Sequence, residues 1–121
     1  MTQLAIVIGK TVDDKYYFRI RIDDRRILLT SREFMCVEKC LNEIYGLQQY
    51  SDFEMVEEYS LNNGHKYTLI GAWGRMVGES PYYDYSHEMK KDMHLLRMYI
   101  RRADVIDNSA LVRFFRPVRI K

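Results

Sequence analysis

Between Tyr16 and Asp23 every second residue is apolar: Tyr16, Phe18, Ile20 and Ile22 alternate with Tyr17, Arg19, Arg21 and Asp23. A period of two is the pattern of a strand with one buried face and one wet face. The apolar run from Leu4 to Gly9 predicts a strand before it, Thr11 to Asp14 a turn, and Asp23 to Arg26 the turn that sends the chain back into Ile27 to Thr30. From Arg32 to Leu47 the period changes. Val37, Cys40, Leu41, Ile44 and Leu47 fall three and four apart, the spacing of an amphipathic helix. The cycle then begins again, with a strand from Asp52 to Tyr59 and the turn signal Asn62-Asn63-Gly64, residues that take positive φ at low cost. A second hairpin runs from Lys66 to Ser80. A helix follows from about Asp84, an acceptable N-cap, to about Arg101. Its apolar line is Tyr85, Met89, Met93, Leu96 and Ile100, with Lys90, Lys91 and Asp92 mostly off that line. Ala103 to Ile106 predicts a short closing strand.

The second cycle repeats the first position by position. Phe18 and Tyr67, Ile20 and Leu69, Arg26 and Arg75, Ile27 and Met76, and Ser31 and Ser80 all stand 49 positions apart. One offset across strand, turn and strand marks a duplicated structural unit. A chain of 121 residues has the length of one domain. Two repeats, about 3–50 and 53–107, are therefore expected to share one core within a single domain spanning 1–107.

The order of aromatic, alternating strand, tight turn, paired aliphatics, Thr-Ser or Glu-Ser, aromatic and helix is similar to the tandem-repeat YegP-like proteins, a family of small bacterial proteins of uncharacterised function. The resemblance covers roughly residues 10 to 107. The family's Tyr/Phe-x-Leu-x-Ala strand is met by Phe18-Arg19-Ile20-Arg21-Ile22 and by Tyr67-Thr68-Leu69-Ile70-Gly71. Its turn of Asn-Gly type is met by Trp73-Gly74 and, without the glycine, by Asp24-Arg25. Phe34 and Tyr83 match its aromatic before the helix, and Glu43-Ile44 and Asp92-Met93 stand where it carries Gly-Ile, the departures of a distant member. The resemblance implies an α+β fold: two tandem strand-strand-strand-helix repeats forming one antiparallel sheet, with two helices packed on one face. It implies no activity. Residues 108 to 121 have no counterpart in the family.

Composition narrows the class. Hydrophobic residues make up 47% and charged residues 30%, as in soluble globular proteins, and no apolar run is long enough to span a membrane. The opening MTQLAIVIGK lacks the basic start and cleavage site of a signal peptide, so the expected location is cytoplasmic. Cys36 and Cys40, four apart in a predicted helix, fit neither a disulfide framework nor zinc spacing, and reduced, buried thiols are expected. Net charge is +2, unevenly spread: residues 109 to 121 carry Arg113, Arg116, Arg119 and Lys121 with no acid, a charge of +4 against −2 for everything before. In the same tail Leu111, Val112, Phe114, Phe115, Val118 and Ile120 are interleaved with those cations, and Pro117 limits it to a sheet edge or an irregular path. The expectation is a docked edge strand, in its own chain or across a dimer.

Candidate chemistry is sparse. His87, Lys91 and His94 share a helix face with no carboxylate at a matching ligand position, which is the pattern of a solvated face. The chain shows no glycine-rich phosphate loop, nucleophile elbow, catalytic carboxylate pair or zinc motif, and Gly71, Gly74 and Gly78 read as hairpin glycines. No enzyme activity, cofactor or metal is expected. For binding there is more. Tyr17, Arg19 and Arg21 on the wet strand face, with Arg25 and Arg26 at the turn, resemble the aromatic and arginine surfaces of single-strand RNA binders, although the acidic body lacks their field. Trp73 at a hairpin tip has little core to enter, and large exposed aromatics are enriched at protein contacts; the other option is a fold back over Tyr67. In the Pro81 to Tyr85 cluster, Tyr83 and Tyr85 are expected in the core and Tyr82 at the surface. The resulting expectation is a small non-catalytic binding or interaction module with a protein partner, self-association included. Its candidate contacts are Trp73, Tyr82, Tyr17, Arg19, Arg21, Arg113, Arg116 and Arg119. A nucleic-acid-binding module is the alternative, and an enzyme comes third.

Overall fold

A computed structural model of the chain describes residues 3–23, 25–50 and 52–109. The elements are β1 (Leu4–Lys10), β2 (Tyr16–Ile22), β3 (Arg26–Ser31), α1 (Val37–Tyr50), β4 (Glu54–Ser60), β5 (Gly64–Ile70), β6 (Met76–Glu79), α2 (Ser86–Tyr99) and β7 (Asp104–Asp107). Short 3-10 turns stand at Ala72–Gly74 and Ile100–Arg102. Among the described residues seven strands form one sheet in the order β4-β5-β6-β3-β2-β1-β7, and with α1 and α2 they make an α+β fold.

Six strands pair antiparallel, as the hairpin spacing predicts. The seventh does not: β7 runs parallel to β1, with Ala5 opposite Asp104 and Ile8 opposite Asp107, which corrects the expectation of a wholly antiparallel sheet. A strand reached through a helix is free of the hairpin constraint and can lie parallel to its neighbour. The docking expected of the tail beyond Ser109, and with it Arg113, Arg116 and Arg119, lies outside the described residues.

Alternation in the strands becomes burial. Phe18, Ile20 and Ile22 of β2 are buried between the exposed Arg19 and the half-buried Arg21. They join Cys40, Ile44 and Leu47 of α1, Met89 and Leu96 of α2, and Tyr67 and Leu69 of β5 in one cluster of buried side chains. Positions 49 apart occupy matching settings. The Phe18 N–H donates to Ser31 Oγ at 2.8 Å and the Tyr67 N–H to Ser80 Oγ at 2.9 Å. Phe18 stacks on Phe34 at 6.1 Å, and Tyr67 on Tyr83 at 6.4 Å. Register slips between Ile20 and Arg21 in the β2–β3 pair and between Leu69 and Ile70 in the β5–β6 pair. The two halves meet where β3 pairs with β6, through Thr30 opposite Glu79 and Ser31 opposite Gly78. A Cβ at Gly78 would come within 2.4 Å of the Thr30 carbonyl oxygen, so only glycine lets these strands approach.

Both helices begin later than their periodicity predicts. Arg32 to Phe34 stay extended because their backbone is already engaged: the Arg32 N–H donates to the Val77 carbonyl, and Phe34 exchanges two bonds with Tyr16. The N-cap of α2 is Tyr85, which makes no side-chain cap bond, so Asp84 is not the cap. Tyr85 therefore lies outside the helical period. It is 61% exposed and stacks on His87, a correction to its expected place in the core. Among the described residues no helix is long and apolar enough to cross a membrane.

Candidate functional site

Two clefts open where each helix meets the strand ends of the other half. The first, of about 430 Å³, is lined by the segment Arg32 to Met35, by Lys39, Asn42 and Glu43 of α1, and by Arg75. The second, of about 350 Å³, is lined by the segment Pro81 to Asp84, by Glu88 and Asp92 of α2, and by Arg26 and Ile27. Seven of the eight lining positions in each have their counterpart 49 positions away in the other. Each cleft takes its carboxylate from one half of the chain and an arginine, Arg75 or Arg26, from the other.

The pairs are built alike and held differently. In the second cleft Asp92 is 0% exposed. Arg26 Nη1 donates to both of its carboxylate oxygens, at 2.6 and 2.5 Å, and the Tyr83 hydroxyl donates to Oδ2 at 2.8 Å. Beside it the Tyr67 hydroxyl donates to the Leu28 carbonyl at 2.6 Å. Burial, reinforced by the charge of Asp92, pushes the pKa of the Tyr67 hydroxyl well above the ordinary tyrosine range. The Tyr83 hydroxyl is raised by burial first, then by Tyr67 and by its bond to Asp92. Both phenols therefore remain protonated donors.

In the first cleft Glu43 accepts from Arg32 Nη2 at 3.3 Å and lies 3.6 Å from Arg75 Nη2. Charge-assisted bonds of good geometry measure about 2.7 to 2.9 Å. The Glu43 carboxylate thus rests loosely between two guanidinium groups, one of which lies over the Phe34 ring at 4.3 Å from its centre. Where the second cleft has Pro81, Asp84 and Glu88, the first has Arg32, Met35 and Lys39. Those three exchanges move the charge upward, and Glu33 in place of Tyr82 moves it down by one. The formal charge of the lining is +1 in the first cleft and −2 in the second.

Among the described residues, those expected from the sequence to make contacts do not form one site. Trp73 is 95% exposed, at the tip of the β5–β6 hairpin and two residues before Arg75 of the first cleft. Tyr82 lines the second cleft, half-exposed, with the Lys66 ammonium 5.4 Å from its ring centre. Lys66 also pairs with Glu79, a bond that raises its pKa. Tyr17, Arg19 and Arg21 do come together, around a hollow of about 210 Å³ bordered by Gly9 and Asn108. There the hydroxyl end of the Tyr17 ring lies against Gly9, close enough that a Cβ would meet it at 2.7 Å, and the Arg19 guanidinium sits 5.2 Å from the ring centre.

Glu43, Asp92, Lys39 and Arg32 were not marked as site residues by sequence patterning. Asp92, placed off the apolar line of its helix, is instead fully buried. A signal was available: arginine recurs at 26 and 75, and an acid at 43 and 92, both at the offset of 49. Cys40 is buried, which pushes its thiol up to about 12, and Cys36 is half-buried; both are free thiols. Among the described residues no group of three His, Cys, Asp or Glu side chains could hold a metal ion.

No protein-family model and no curated protein matches the sequence. Solved structures do match. The UPF0339 protein SO3888 of Shewanella oneidensis, determined in solution, is 15% identical with a TM-score of 0.78, over 89% of this chain and 93% of that one. The protein yegP of E. coli, described as of unknown function, is 15% identical with a TM-score of 0.76, over 90% of this chain and 96% of that one. The chain has the fold of the YegP proteins, as the order of its elements implied.

Proposed function

We propose that the protein is a small non-catalytic binding module made of two tandem repeats, with both helices on one sheet face and its main contact at Trp73. The carrying observation is Trp73 itself. It stands 95% exposed with φ of 70°, in the left-handed region that a bulky side chain enters only at a cost of roughly 1 kcal/mol or more. A tryptophan held in strained backbone and away from the core adds little to folding, and tryptophan is among the residues enriched at the hot spots where proteins bind one another. The matched hydrogen bonds, stacks and register slips at the offset of 49 support the repeat reading. The single cluster of buried side chains drawing on both helices supports their place on one face.

Capture from an extract of the source cell, by the immobilised chain and by its Trp73→Ala variant, tests this reading. A protein retained by the wild type in low and high salt and lost from the variant is the expected result. Identical capture by both overturns it. The hollow that joins Tyr17, Arg19 and Arg21 favours a second reading, a single-stranded nucleic acid on the open sheet face. That partner would be lost steeply as salt rises and would be indifferent to Trp73.

A further inference from the structure

The two clefts have the same frame, but one holds its carboxylate tightly and the other loosely. In the second, Arg26 Nη1 holds both oxygens of the buried Asp92 through bonds of 2.5 and 2.6 Å, while half of the arginine side chain stays exposed. In the first, two arginines share one carboxylate at 3.3 and 3.6 Å, and Lys39 stands at the position of Glu88. A guanidinium has five N–H donors in a planar fork. Arg32 and Arg75 therefore keep donors facing a cleft of about 430 Å³ with a net positive lining. We propose that this cleft binds a carboxylate of the partner, an Asp or Glu side chain on an acidic segment that runs past Trp73; the assignment rests on the binding-module reading.

Glu43 shows which group the site accepts. It is the protein's own carboxylate, seated between the two guanidinium groups at distances too long for the best bonds, and an incoming carboxylate takes those donors at shorter range. Glu43 is then a built-in competitor. Met35, 70% exposed, lines the cleft, and Trp73, 95% exposed, stands two residues before Arg75 in the chain; both offer apolar surface to the residues that flank the acid. The second cleft, with Asp84 and Glu88 at the matching positions, repels the same ligand.

The test uses the full chain, isotope-labelled, titrated with the blocked tripeptide acetyl-Leu-Glu-Leu-amide, with acetyl-Leu-Gln-Leu-amide as neutral control and inorganic phosphate as a third arm. Saturable shifts at the side-chain Nε–H groups of Arg32 and Arg75 are expected with the acidic peptide alone. Arg75→Ala or Lys39→Glu should weaken binding severalfold, and Glu43→Gln, which removes the competitor, should tighten it about tenfold. Arg75 is largely exposed, so its variant keeps the fold, and the backbone spectrum verifies this. Absence of saturation, equal response to the glutamine control, tighter binding of phosphate, or weaker binding by Glu43→Gln each overturns the proposal. Trp73-dependent capture with no peptide binding would remove the carboxylate site and leave the binding module. Peptide binding without Trp73-dependent capture would do the reverse.

Discussion

Asp92 and Glu43 occupy the same place in their helices, yet one is locked and the other loosely seated. Replacing Asp92 by Asn leaves Arg26 and the Tyr83 hydroxyl facing a neutral amide in a buried site, and chemical denaturation should show a loss of about 2 to 4 kcal/mol. Glu43→Gln, among arginines that reach water, should cost less than about 1 kcal/mol. Trp73 supplies an opposite sign. Because its φ is 70°, Trp73→Gly should raise stability by about 0.5 to 1 kcal/mol while abolishing partner capture. It is the only tryptophan, so a red-shifted, readily quenched emission should report its exposure directly, and a blue-shifted emission would contradict it. The tyrosines set a pH dependence. Tyr67 and Tyr83 have folded-state pKa values above the ordinary 10.0, so their contribution is complete below about pH 10 and is lost as pH rises beyond it. Denaturation midpoints at pH 9 to 11 measure that fall, roughly, and Phe substitution at 83 should flatten it. Exposure of Trp73 was one of two readings the sequence left open, because a hairpin tip offers little core but a fold back over Tyr67 was also available; the structure gives 95% exposure. The burial of Asp92 was not legible, because helix patterning counts apolar residues and an acid neutralised by an arginine from a distant strand carries no local signal.

At the scale of elements, alternation located β2 and helical spacing located both helices, since each of these patterns is a direct record of burial. The starts of the helices were hidden because the residues before them are held by other strands, Arg32 by Val77 and Phe34 by Tyr16. The parallel pairing of β7 was hidden for a related reason: a four-residue strand shows period but not direction. The junction of β3 with β6 rests on few pairs and on the missing side chain of Gly78. Gly78→Ala should therefore cost about 3 kcal/mol or more, because the obstructing atoms are backbone and cannot turn aside. Gly46→Ala makes a control. A Cβ there meets nothing within 4 Å, and alanine in a helix should raise stability by up to about 1 kcal/mol.

On the scale of the whole molecule, the first cleft exists only while the two halves form one body, since α1 supplies Glu43 and the far half supplies Arg75. The correspondence between positions 49 apart was legible in the sequence. What it did not disclose is that each half reaches across for its arginine, which binds the halves to each other as well as to their own helices. The shared cluster of buried side chains points the same way: Phe18→Ala in one half or Tyr67→Ala in the other should cost about 3 to 5 kcal/mol and unfold both. The most direct measurement is amide exchange of α1 and α2, followed separately through a denaturant series. Interlocked halves predict the same midpoint and the same slope for both helices. Loss of protection in one helix at a denaturant concentration where the other stays protected would contradict the account, since neither crossed pair nor shared core could then hold the halves together.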